Sequence, residues 1–316
     1  MFLFLLSVCD TFNRINNRVT SVSSECCNII DSQFTDLSNN AGGGAIYINQ
    51  PGKTLLISKC TFFNCRTSNL GGGGIFFVSE KSFISKTCGY WCYTPSPDSP
   101  LGNLGQFLYS ETPSLGFSTI EFVSISHSSP TIEGNYRSSP FCFHYGIQLA
   151  KNTNSSKNQI GLRSCCFFLD STNSTNTFST FYSNYASYLE GVVFTNGINF
   201  MSYSNVVNNN QAQNHAGVIR NWDNPTTTID YCVFCNNHNR LFSVEYGTMN
   251  VRFSSIYGSY TTNGAVLISC STNSYTHELV HYNTYYCIAE NPLIENTNAQ
   301  SSPIKKSSFL FLTLFL

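Results

Sequence analysis

Charge is what this chain has least of. Only 10% of its 316 residues are Asp, Glu, Lys or Arg, against about 25% in an ordinary soluble domain. The net charge is −1 and no basic stripe exists, which argues against a nucleic-acid partner. Helical periodicity is missing as well. No long stretch repeats apolar residues at a spacing of 3.6, so a helical bundle is excluded. Long apolar runs are absent too. The C-terminal run 309–316 (FLFLTLFL) has eight residues, far below the roughly 20 that span a bilayer as a helix. Aspartate is sparse: Asp10, Asp31, Asp36, Asp98, Asp170, Asp223 and Asp230, with no adjacent pair. That disfavours polysaccharide cleavage, which needs clustered or opposed carboxylates.

Aromatic residues, in contrast, make up 15%, with 26 Phe and 18 Tyr. That is ample material for a core and argues against disorder. Polarity comes from Ser, Thr and 36 Asn. Asn tolerates left-handed backbone and closes tight turns, as a many-turned β fold requires.

The chain also repeats itself. Residues 39–48 read NNAGGGAIYI and residues 69–78 read NLGGGGIFFV, each after a Phe-bearing segment (SQFTD at 32–36, CTFFNC at 60–65). A second register runs through the C-terminal half: Met201-x-Tyr203-x-x-Val206, Ile229-x-Tyr231-x-x-Phe234, Val251-x-Phe253-x-x-Ile256 and Val280-x-Tyr282-x-x-Tyr285. Its first three positions alternate as in a strand, which predicts both large residues on one face. Small-residue turns followed by short apolar strands are the mark of a solenoid. No coil of this kind buries its own apolar face, so coils must stack. The expected fold is all-β, a right-handed parallel β-helix with coils of about 22–29 residues. Residues 10–294 form one domain, with irregular insertions near 87–139, which is Pro-rich at first, and 151–180. Residues 295–316 form a tail. The Gly runs lead into strands and not into a helix bearing Lys-Ser or Lys-Thr, so they are not phosphate loops.

Fourteen cysteines are many for a cytosolic domain. Cys60, Cys65, Cys88, Cys92, Cys165, Cys166, Cys232 and Cys235 form either disulfides or a ladder of buried thiols, and spacing leaves both open. Cys60, Cys165 and Cys232 are expected to share one coil position. Residues 1–9 carry a short hydrophobic run of signal type, and the hydrophobic C-terminal end is a candidate anchor signal. Asn154 and Asn173 head glycosylation sequons, in low-complexity stretches expected to be exposed loops. These features lean towards a cell-surface or secreted protein, membrane-associated through its termini.

The Gly-Gly-Ala-Ile blocks, CTFFNC and GGGAIYI resemble polymorphic outer-membrane-protein repeats and the β-helical surface-protein families of trichomonad parasites. The resemblance covers residues 29–78 well and 201–286 loosely. In the bacterial repeats Phe and Asn stand three apart. Phe234 and Asn237 fit that spacing; Phe62 and Asn64 do not. The resemblance implies adhesion, through contact with a host or cell-surface protein or glycan, and identifies no binding residue.

Two motifs suggest chemistry. His277, Glu278 and His281 spell H-E-x-x-H, the zinc-peptidase motif, which needs a helix to bring both His to one metal. Their surroundings are strand-like, and in a strand residues four apart lie about 13 Å apart. Cys232 and Cys235 spell C-x-x-C without a second pair at zinc-ribbon spacing. Asp223 and Asp230 with Arg220 and Arg252 are the one charged cluster able to stack on one side. No catalytic residue, metal or cofactor is expected. A β-helix polysaccharide lyase or hydrolase is the rival reading, and a zinc peptidase the remote one.

Overall fold

The computed structural model describes residues 9–68, 70–94, 105–128, 139–160, 163–187, 190–212 and 217–271. The described residues form strands and turns, with no helix. The strands assemble into parallel sheets, the largest of 18 and 9 strands.

The 18-stranded sheet contains two ladders. The first runs from Cys9–Asn13 through Cys26–Ile30, Thr54–Ser58 and onward to Val266–Ile268. The second runs from Gln33–Thr35 through Thr61–Phe63 to Ser255–Tyr257. They are joined because the long strands Lys81–Tyr90 and Phe117–Ser126 belong to both. The 9-stranded sheet is a third ladder, from Ile46–Asn49 to Thr261–Asn263.

Register puts like residues in file. Ile29, Ile57, Ile84 and Ile120 are successive partners, followed by Ala150, Asn176, Met201, Ile229 and Val251, and all of them are buried. Ile46, Ile75, Leu108 and Phe141 form a second file. Phe34 pairs with Phe62, their rings stacked at 4.8 Å. Inward side chains of all three ladders merge into one hydrophobic cluster. Each level has only a few apolar residues, so burial depends on the levels above and below. The spacing of levels departs from expectation: Ile84 pairs with Ile120, a longer span, and Val251 with Leu267, a shorter one.

Two corners recur, each a single residue with left-handed backbone. At the first, between the first two ladders, stand Asp31, Lys59, Lys86, Asn152, Phe178, Tyr203, Tyr231 and Phe253, with φ between 47° and 55°. The next residue is small, and at every one of these places but Asn152, where Thr153 Oγ1 meets Ser179 Oγ at 2.8 Å, its side chain donates to the carbonyl two residues back. Ser32 Oγ to Ile30 O (2.8 Å), Thr87 Oγ1 to Ser85 O (2.8 Å) and Ser204 Oγ to Ser202 O (2.9 Å) are examples. That bond closes the turn locally and offsets the cost of positive φ outside glycine. Cys60 and Cys232 serve the same place, donating Sγ to Ser58 O and Asp230 O at 3.3 Å. Cys65 and Cys92 do so at the second corner.

Beyond the second corner, Asn158, Asn184, Asn209 and Asn237 form a buried file. Each of the first three donates its backbone N–H and its Nδ2 to the Oδ1 of the next, at 2.9–3.1 Å. Nδ2 of Asn184, Asn209 and Asn237 also donates to Ser155 O, Phe181 O and Val206 O. Buried amides of this kind stabilise only because every donor and acceptor is paired. In the N-terminal levels Cys65 and Cys92 hold the corresponding place, so the Phe-x-x-Asn spacing fails there without breaking the stack.

The expected insertions are not irregular where described. Leu108–Glu111 and Phe117–Ser126 are regular rungs, and so are Asn154–Ser156 and Asn173–Thr177. Polar residues fill inward positions there: Ser155, Ser174 and Asn176 are buried. Ser174 Oγ donates to Asn199 Oδ1 at 2.6 Å, one of the pairings that let a polar file replace an apolar one.

The glycine runs mark close approach. Gly43 has φ 62°, and a Cβ on Gly44 would fall 2.2 Å from Gly73 O in the next level. No L side chain fits there.

Candidate functional site

The first corner turns its left-handed residues outward, apart from the buried Asn152. Four consecutive levels place Phe178, Tyr203, Tyr231 and Phe253 there. Their rings stack at 5.2, 5.2 and 5.3 Å, with interplanar angles of 8°, 6° and 17°. Phe178 is 37% exposed, Tyr203 49% and Phe253 44%. This corrects the expected alternation. Met201 is buried while Tyr203, two residues on, is exposed, because the left-handed residue rotates the chain between them. A second exposed aromatic group lies at the second corner, where Phe63 stacks on Tyr90 and leans on Trp91, while Tyr90 meets His127. Stacked rings are worth about 0.5–1.5 kcal/mol per pair beyond area burial. Phe178, Tyr203 and Phe253 keep part of their ring surface in solvent.

The richest titratable cluster lies on the third ladder. Glu111 and His144 are register partners. His144 Nδ1 sits 3.0 Å from Tyr109 Oη and 3.4 Å from Glu111, and Nε2 is 3.8 Å from Asp170. Tyr109 Oη donates to Glu111. The His144 contact, foremost, holds the Glu111 carboxyl below its ordinary range, and burial pushes the Tyr109 hydroxyl up. Asp170 also accepts from Asn196 Nδ2 at 2.7 Å. The groups satisfy one another. A general acid would need its carboxyl raised, not lowered.

The residues singled out from sequence fall as follows. His277, Glu278 and His281 lie outside the described residues, as does the repeat at 280–285. The charged foursome does not converge. Arg252 grips Asp230 through Nε at 2.7 Å and Nη2 at 2.5 Å, Arg220 pairs with Glu245, and Asp223 is an exposed left-handed turn residue. Asn173 is exposed at the start of a strand, not in a loop. Asn154 is buried in a strand of the second ladder, its Nδ2 on Ser124 Oγ at 3.1 Å. The folded chain cannot present it for glycosylation.

Of the cysteines, Cys9 and Cys26 form a disulfide between register partners, a pair the sequence reading did not pick out. Cys88 is also disulfide-bonded. Cys60, Cys65, Cys92, Cys166 and Cys232 are buried thiols. Cys60 and Cys232 share one corner place, but Cys165 does not: it lies within Arg163–Leu169, its Sγ 3.7 Å from Asn209 Oδ1. Cys235 packs with Tyr182 and Val207, apart from the corner of Cys232. Burial pushes the Cys60 thiol up to about 11 and that of Cys232 up to about 12. Such groups are inert at neutral pH.

Searches against family models, curated proteins and solved structures match nothing. Among the described residues no group of three or more His, Cys, Asp or Glu is placed to hold a metal, and no helix is long and apolar enough to cross a membrane. Tyr203, Tyr231 and Phe253 of the aromatic row were visible in sequence as a repeat; Phe178 was not part of it. The outward facing of the row was not visible, because a left-handed corner leaves no mark in hydrophobic alternation.

Proposed function

We propose that this chain is a right-handed parallel β-helix serving as a non-enzymatic scaffold at a cell surface or in secretion, where it contacts a host or cell-surface protein or glycan. Parallel pairing throughout, with three ladders around one hydrophobic cluster, supports the β-helix. Parallel crossovers within one sheet are almost always right-handed, which supports the hand. The observation that carries the contact function is the exposed row from Phe178 to Phe253. The stacking ties levels together, and partly exposed aromatic surface of this kind also marks contact sites. Tyr adds a hydroxyl to each contact at little entropic cost.

The rival lyase or hydrolase would draw on Glu111, His144 and Asp170. The lowered Glu111 carboxyl and the mutual pairing of these groups weigh against it.

Attachment of the purified chain to intact cells tests the proposal, compared with the Tyr203→Ser/Tyr231→Ser variant. The row function predicts loss of attachment with an unchanged circular-dichroism spectrum. Equal attachment by both proteins contradicts it, as does turnover of a polysaccharide substrate.

A further inference from the structure

On the side that follows the second corner, a solvent-open cavity of about 770 Å3 is lined by Ser38, Asn39, Asn40, Arg66, Ser68 and Tyr93. Its volume falls in the range of small-ligand sites, but its lining is hydroxyl, amide, guanidinium and phenol. Two paired segments build it: Ser38–Asn39 runs parallel to Arg66–Thr67, and Arg66 bridges to Tyr93. The backbone under the cavity is therefore fixed by the same stacking as the core. Asn39 and Asn40 are braced, Asn39 Nδ2 donating to Gly43 O at 2.9 Å and Asn40 Oδ1 accepting from Ser68 Oγ at 3.0 Å.

Arg66 is exposed, and its side chain meets Tyr93, Nη1 lying 3.5 Å from Oη. Among the described residues it has no ion pair. The carboxylate that acts on it, Asp36, is engaged by Asn64 Nδ2 at 2.6 Å. A guanidinium left with most of its five donors open, in a concave polar setting, suits a bidentate anion. The half-buried Tyr93 ring beside it offers an apolar face, and the amides and hydroxyls suit a polyol. On the same side six levels on, Asn239, Arg240, Tyr260 and Thr261 line a second cavity of about 520 Å3.

We propose that the Arg66–Tyr93 groove binds an acidic saccharide, with its carboxylate or sulfate on the Arg66 guanidinium and its sugar ring against Tyr93. This deepens the contact function proposed above and rests on it.

Calorimetric titration of the full chain tests this with three probes: trigalacturonate for carboxylate, a sulfated heparin disaccharide for sulfate, and neutral maltotriose. The groove predicts binding of one or both acidic probes, weakened by added salt, and none of maltotriose. Arg66→Gln weakens the acidic probe about tenfold or more, Arg66→Lys less, and the exposed control Arg14→Gln leaves it unchanged. Maltotriose binding as well as the acids, no effect of Arg66→Gln, or no binding of any probe overturns the proposal. If Arg66→Gln is without effect while cells are still bound through the aromatic row, the groove fails and the adhesive function stands. If the parent chain also fails to attach to cells, the function itself falls.

Discussion

Asn184 donates twice to a single atom of Asn209: its backbone N–H and its Nδ2 both lie 3.0 Å from Asn209 Oδ1. One side chain thereby ties two levels, and Asn209 repeats the arrangement on Asn237. Replacing Asn209 with Ala removes the acceptor of two donors and leaves Phe181 O and Asn237 Oδ1 short of a partner, all in a buried file. Each stranded group costs about 1–3 kcal/mol. Asn209→Ala should lose about 3 kcal/mol or more in urea unfolding, while Asn208→Ala, at the neighbouring left-handed position, should lose much less.

Met201 and Tyr203 form a sharper contrast, two residues apart on opposite sides of the chain. Met201→Ala empties a buried place in the Ile57–Ile229 file and should cost about 2–5 kcal/mol. Tyr203→Ala removes a ring stacked on both Phe178 and Tyr231 and should cost less, about 1–3 kcal/mol. Thermal or urea unfolding of both variants checks this, and equal losses would place both side chains in the core.

The close approach at Gly44 sets a third expectation. A Cβ there meets Gly73 O at 2.2 Å, and backbone of the next level cannot yield without disturbing the ladder. Gly44→Ala should lose about 3 kcal/mol, whereas Gly52→Ala, with nothing within 4 Å of the added atom but φ of 75°, should lose about 1 kcal/mol from backbone strain alone.

Thiol chemistry follows from burial. In the native protein at pH 8, Cys60, Cys92 and Cys232 should stay unalkylated by iodoacetamide over hours, and all should react in denaturant. Peptide mass spectrometry reads the sites. Rapid native labelling of Cys60 or Cys232 would show that the corner is open.

Asp10 gives the fold an acid-sensitive end. Its carboxylate accepts from the Ser24 and Ser23 backbone N–H groups at 3.0 and 2.6 Å, and those bonds, Ser24 first, lower its pKa from 3.8 to about 2. The folded form prefers the ionised group, so the contribution is full above the unfolded value and fades as pH falls towards 2. Melting temperature measured from about pH 5 to pH 2 should fall less steeply for Asp10→Asn than for the parent.

Much of the architecture was legible from residue order. The blocks around Ile46 and Ile75 are register partners, as expected when two like segments stack. Tyr231 and Phe253 do lie in one pile, but outside the core. That difference was invisible because positive φ at a non-glycine residue is set by the following Ser or Cys closing on the chain, a local bond and not a hydrophobic pattern. The stretches 151–180 misled for a related reason. Polar composition signals solvent in most proteins, yet here Asn and Ser pair between levels and sit inside. The Arg66 groove left no motif, since its parts come from three levels of chain that only stacking brings together.

The most direct measurement is a set of electron-spin distances between labels at Ser38, Gln159 and His238, all exposed and all one residue past the second corner's inward file. At roughly 4.8 Å per level, four levels separate Ser38 from Gln159 and three separate Gln159 from His238, so the account predicts about 19, 14 and 34 Å, the two shorter spans adding to the longest. Distances that fail to add, or that place Ser38 and His238 close together, would contradict the stacking on which the aromatic row and the groove both depend.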